Sequence, residues 1–236
     1  MVVVEERRLE LLRLYQTWEN ELIAACPQLI NDKYSHPYYL HIPDEWFDAK
    51  HRILIVGEEG FGNKQFNLPI AEAQAFNRNY LLKQLSNDAN NHSPFWRRIR
   101  KIASLPDTSV TWTNLDMIHL SGGKHCKLKK SDRMALHQTP TAILGEEIRI
   151  LEPDVVVYFG WYGISLRAEL PDVFRMLYPG GLKDYSQWQD DKMKVIELNG
   201  IHHIFTYHPG WGQRVKGYED MVLQRVTEVL KKNTTA

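Results

Sequence analysis

The sequence holds only two cysteines, Cys26 and Cys126, far apart along the chain. That pair excludes a disulfide framework and any four-cysteine metal or iron–sulfur cluster. No apolar run approaches the ~20 residues that a helix needs to cross a bilayer. The opening "MVVVEERRLELL" reaches three valines before charge interrupts it, too short for the apolar core of a secretory signal. No GK[ST] follows the first apolar run and no G-x-G-x-x-G is present, which removes the P-loop and dinucleotide-binding fingerprints. Charge of one sign is also lacking. With 29 acidic and 29 basic residues, bulk charge would not hold a nucleic acid, although a local basic patch stays open. No internal repeat or low-complexity segment interrupts the chain. The expectation is a protein of the reducing cytoplasm, monomeric, with no membrane partner.

What is present is an ordinary globular composition, 43% hydrophobic and 25% charged over 236 residues, enough for one α/β domain with a buried core. Residues 5 to 24 carry Leu11, Tyr15, Trp18 and Leu22 at i, i+4, i+7 and i+11, the face of an amphipathic helix that ends near Pro27. The aromatic stretch "NDKYSHPYYLHIPDEWF" is expected to be an ordered loop. Helices are expected over 69 to 86, over "SPFWRRIRKIASL" with Ser93 as N-cap and Pro94 in the first turn, from Thr139-Pro140 onward with Leu144, Ile148 and Leu151 on one face, and over about 217 to 232 with Val222, Val226 and Val229 inward. Short β-branched runs between them read as strands: "RILIVG", "SVTWTNL", "PDVVVYFG", "MKVIEL" and "HHIFTYHPG". Helices alternating with apolar strands predict a three-layer α/β/α sandwich around a mostly parallel sheet of four or five strands.

In such sheets ligands sit beyond the carboxyl ends of the strands. Reading just past each strand gives "GEEGFGN", "TNLDMIH", "GWYG" and "YHPGWG". Two acids in a Gly-rich turn, an Asn closing the second strand and a His before Pro-Gly form a polar set. In this order the set resembles the uracil-DNA glycosylase superfamily. That family pairs a first motif of the form G-x-[DNA]-P-[YG] with an Asn-bearing strand end and a late H-P-S loop. "SPFWRRI" is similar to its N-x-F-W stretch, and "EIRILEPDVVVYFG" to its helix–strand unit. The likeness spans roughly residues 50 to 230 and leaves the first helix, within residues 1 to 27, outside.

The resemblance implies roles by position. Glu59 stands where the family's Asp or Asn positions water and stabilises the sugar cation. His208 matches the His that steadies the departing base, and Asn114 the Asn that reads the base edge. Gly57 opens the first motif, Phe61 stands where one branch carries a pocket-shaping aromatic, and Phe66 is the candidate for stacking on the base. Arg97, Arg98, Trp211, Gln213 and Arg214 are candidates for touching DNA. Two positions depart from the pattern: Gly60 replaces the motif Pro, and Gly210 the Ser of the H-P-S loop.

The implied chemistry suits these residue types. Cleaving an N-glycosidic bond builds positive charge on the sugar and negative charge on the base, which a fixed carboxylate and a fixed donor would stabilise. Flipping the nucleotide costs a few kcal/mol, which base-edge hydrogen bonds and stacking offset. The expected function is hydrolysis of uracil or a related base from DNA, with no cofactor and no metal; His125, Cys126, His202 and His203 lack ligand spacing for zinc. Two other readings stay open, a binder that holds a modified base without cleaving it and a hydrolase of a small N-glycoside.

Overall fold

The five apolar runs become the strands of one sheet: β1 His51–Glu59, β2 Thr108–Asp116, β3 Val155–Phe159, β4 Met193–Leu198 and β5 Ile201–Thr206. The computed structural model describes residues 2–30, 34–35, 37–59, 69–86, 93–118, 143–160, 193–212 and 214–233. Across the sheet the order is β2-β1-β3-β5-β4, with β4 antiparallel to β5 and every other pairing parallel. β3 is buried along its whole length, as its unbroken V-V-V-Y-F run requires of a strand covered on both faces. The β4–β5 hairpin turns on Asn199-Gly200, with φ of 51° and 78°. Positive φ at both residues is what a two-residue hairpin loop needs to match the twist of its strands, and Asn-Gly tolerates it best.

Six helices among the described residues flank the sheet: α1 Val2–Ala25, α2 Ile70–Leu85, α3 Pro94–Ala103, α4 Ile143–Leu151, a short α5 Pro209–Gly212 and α6 Tyr218–Asn233. α1 and α4 cover one face, packing on Leu54, Val56, Leu115, Val156, Tyr158 and Phe205. α3, α6 and Leu81 of α2 cover the other, packing on Ile53, Ile55, Val110, Trp112, Val157, Phe159 and Ile204. Successive residues of β1 thus fall in opposite clusters, the period of two that a pleated strand imposes. The result is the expected three-layer α/β/α sandwich.

Local signals account for the elements. α1 buries Leu11, Tyr15, Trp18 and Leu22, the stripe its spacing predicts. The Ser93 hydroxyl accepts from the Trp96 backbone N–H at 3.3 Å, and Pro94 occupies the first turn of α3, where a missing N–H loses nothing. The described part of the aromatic stretch before β1, from residue 37, packs inside: Tyr39, Leu40, Ile42 and Trp46 are fully buried. The Thr111 hydroxyl of β2 donates to the His41 carbonyl at 2.7 Å, and the Trp46 indole donates to the Leu151 carbonyl at 2.9 Å.

One polar group is sealed between α1, α4 and the sheet. Glu147 is completely buried, its Oε1 accepting from the Tyr15 hydroxyl at 2.7 Å while Oε2 has no partner among the described residues. The same Tyr15 oxygen accepts from the Leu40 backbone N–H at 2.9 Å. Burial pushes the Glu147 carboxyl up to about 7, against the opposing pull of the Tyr15 and Thr113 hydroxyls. No helix among the described residues is long and apolar enough to cross a membrane.

Candidate functional site

Four parallel strands deliver their carboxyl ends to one edge of the sheet. The chain runs from β1 outward to β2 and then returns to β3 on the other side of β1, so the topological switch lies between β1 and β3. Parallel register sets Gly57 beside Asn114 and Glu59 beside Asp116. Gly160 follows β3 in a backbone with φ of 132°, and Tyr207 and His208 follow β5. At a strand spacing of about 4.8 Å, the edge from β2 to β5 spans roughly 14 Å. Sequence order therefore translates into a row of Asn114, Gly57 and Glu59, Gly160 and His208.

Asn114 is the best-defined member of the row. It is 1% exposed, and its Oδ1 accepts from the Trp112 indole N–H at 3.0 Å. Indole nitrogen is a donor only, so the amide atom facing it must be the oxygen. Nδ2 is buried and has no hydrogen-bond partner among the described residues. A buried donor left unsatisfied costs about 1–3 kcal/mol, which a ligand acceptor would recover.

Gly57 makes this packing feasible. A Cβ there would meet Asn114 Oδ1 at 2.4 Å, Trp112 Nε1 at 3.2 Å and Phe95 Cε2 at 3.5 Å. Its φ is ordinary, so space alone, not backbone conformation, demands glycine at this position. Phe95 is half-buried over the same glycine and meets Trp112 and Phe159 edge-on, with centroids 5.9 and 5.6 Å apart. Neither Trp112 nor Phe95 was singled out by the sequence. The signal for Trp112 is its place two residues before Asn114, on the same face of the strand.

His208 is exposed, and its Nδ1 accepts from the Gly210 backbone N–H at 3.2 Å. A ring nitrogen that accepts is unprotonated, so the neutral ring carries its proton on Nε2 and can donate from there. A Cβ on Gly210 would approach His208 Nδ1 to 3.3 Å, a contact that a small ring shift relieves.

The remaining candidates divide. Glu59 closes β1, but its side chain and that of Glu58 lie outside the described residues, as do Phe61, Phe66, Gln213 and the side chain of Trp211. Arg214 is exposed. Arg97 is engaged with Glu219, donating from Nε at 3.2 Å and Nη2 at 3.3 Å. Arg98 is 3% exposed, not on a solvent face where a phosphate would meet it. Its guanidinium lies 5.5 Å from the ring centroids of both Phe159 and Tyr218, and Nε and Nη1 lack hydrogen-bond partners among the described residues. Burial lowers its affinity for a proton, against the pull of Glu219. Replacing a buried, incompletely paired cation with an apolar chain of similar length is often neutral or stabilising. Arg98→Met is therefore expected to hold or raise stability, by up to about 2 kcal/mol; a clear fall in the urea midpoint would contradict this.

Among the described residues no three His, Cys, Asp or Glu side chains are grouped to hold a metal ion. The chain matches no protein-family model and no curated protein.

Proposed function

We propose that the chain is a DNA glycosylase-like hydrolase that cleaves the N-glycosidic bond of uracil or a related base in DNA, acting as a monomer in a reducing cytoplasm without cofactor or metal. The observation that carries this reading is the Asn114 amide, a buried donor with no partner among the described residues, near the carboxyl end of β2 and in register with the motif glycine on β1. A carbonyl oxygen on the edge of a flipped base is the acceptor such a donor suits, and burial strengthens the hydrogen bond it would make.

On this reading the bond between C1′ and the base nitrogen breaks with its electron pair leaving on the base. The Nε2–H of neutral His208, whose tautomer follows from the Gly210 contact, donates to the base oxygen that gathers the negative charge. The role assigned to the Glu59 carboxylate is to stabilise the positive sugar and to orient the water that adds to C1′, taking up its proton. Asn114 fixes the base by its edge, and Phe95, half-buried over Gly57, offers an apolar wall nearby. Arg214 is the exposed candidate for a backbone phosphate.

The test is base release from single-stranded and duplex oligonucleotides carrying uracil, hypoxanthine, xanthine or 5-hydroxymethyluracil. Uracil is expected to be released, and Glu59→Gln and His208→Ala are each expected to slow release about 100-fold or more. No release from any substrate by folded protein would set the hydrolase aside. Tight binding of the same oligonucleotides without release would instead identify a binder.

A further inference from the structure

Resting on that reading of Asn114, we propose that Trp112 is a positioning residue that decides which class of base edge the site accepts. An asparagine amide is nearly symmetric in shape. Turned half a revolution, it offers a carbonyl oxygen where it had offered an NH2, so a free amide can satisfy a keto base and an amino base alike. At Asn114 that freedom is removed. The indole N–H of Trp112 donates to Oδ1 at 3.0 Å, and turning the amide would set its NH2 against the indole N–H, donor against donor.

The indole itself cannot swing away to accommodate the turned form. Trp112 is 7% exposed, and its ring is held by Tyr38 at 4.2 Å, Trp96 at 4.9 Å, Phe95 at 5.9 Å and Tyr80 at 6.2 Å between centroids. On its other side Oδ1 lies close against Gly57, where an added Cβ would come within 2.4 Å of it. The group left over is Nδ2, buried and without a partner among the described residues. The locked amide therefore donates toward a ligand carbonyl and rejects an exocyclic amino group presented at the same place. Discrimination between uracil and cytosine is built into the protein by an indole that need not touch either base. One buried hydrogen bond of this kind biases the choice by roughly 10- to 100-fold.

The test is titration of the full chain with free uracil and free cytosine, followed by the 1H–15N signals of the Asn114 side-chain amide and the Trp112 indole. Wild type is expected to bind uracil over cytosine, with the Asn114 amide signals moving. Trp112→Phe, which keeps an aromatic ring but no donor, is expected to bring the uracil-to-cytosine affinity ratio down by roughly 10- to 100-fold, an effect that loosened packing alone would not give because it weakens both bases together. A folded Trp112→Phe that keeps the wild-type ratio overturns the proposal and leaves the glycosylase reading standing. Wild type that binds neither base overturns both. Should Trp112→Phe fail to fold, Asn114→Leu removes the acceptor while sparing the ring cluster. The Trp112 indole proton should then move upfield and exchange faster, and an unchanged indole signal overturns the proposal.

Discussion

Gly57→Ala is expected to slow uracil release by about 100-fold while leaving the fold intact. The added methyl carbon would come within 2.4 Å of Asn114 Oδ1, well inside van der Waals contact. The neighbouring atoms cannot all yield: Trp112 Nε1 is 3.2 Å away and Phe95 Cε2 3.5 Å away. The Asn114 amide must move off its indole donor, and displacements of about 1 Å at a positioning group cost about 100-fold in rate. Stability should fall less steeply, by about 1–3 kcal/mol, because the strand backbone at Gly57 is one that alanine adopts without strain and only the local packing is overfilled. Single-turnover release from a uracil oligonucleotide, beside the urea midpoint of the same sample, separates the two effects. Activity and stability falling in proportion would mean that Gly57 serves the fold and not the site.

Glu147→Gln is expected to make the protein more stable than wild type at pH 8 and close to it at pH 4.5. The folded carboxyl is held up to about 7 against an ordinary 4.5, so between those values the folded state keeps a proton that the unfolded chain has lost. Stability therefore falls as pH rises across that window and stays low above it. The separation corresponds to on the order of 3 kcal/mol for a group buried as completely as this one. Buried histidines tilt the curve the other way at acid pH. Burial, reinforced by His202, holds His203 down to about 3, and burial with Arg8 and Arg78 holds His41 down to about 4. Folding that keeps them neutral is weakened as pH falls below their free value of 6.5. The informative quantity is thus the difference between wild type and variant, measured by urea unfolding at several pH values. Parallel curves would show that Glu147 ionises in the folded protein without penalty.

Period and punctuation carried most of the fold. Each of the five apolar runs became a strand, and the stripe from Leu11 to Leu22 packs as its spacing demands. The same periodicity held information that residue type concealed. Arg98 sits one position before Ile99 and four before Ile102 on α3, so it flanks the buried face, but a run of Arg and Lys suggests solvent. Glu147 follows Leu144 by three residues and precedes Ile148, which sets a carboxylate on the apolar face of α4. Burial of both depends on partners distant in sequence: Phe159 and Tyr218 for Arg98, Tyr15 for Glu147. At the candidate site, Asn114 and Gly57 were legible because each lies near the carboxyl end of its strand. That they touch was not, because parallel register is set by the crossover and not by either strand alone.

The hydroxyl of Tyr15 redraws the boundary of the folding unit. The strand-end motifs all lie beyond residue 50, yet a side chain on α1 supplies a hydrogen bond to a sealed carboxylate and receives a backbone donor from the segment leading into the sheet. Trimming the chain before residue 50 would take the Tyr15 hydroxyl from Glu147, and would uncover Leu54 and Val156 of the sheet. Motif content and mechanical integrity therefore divide this chain at different places, and the N-terminal helix belongs to the second.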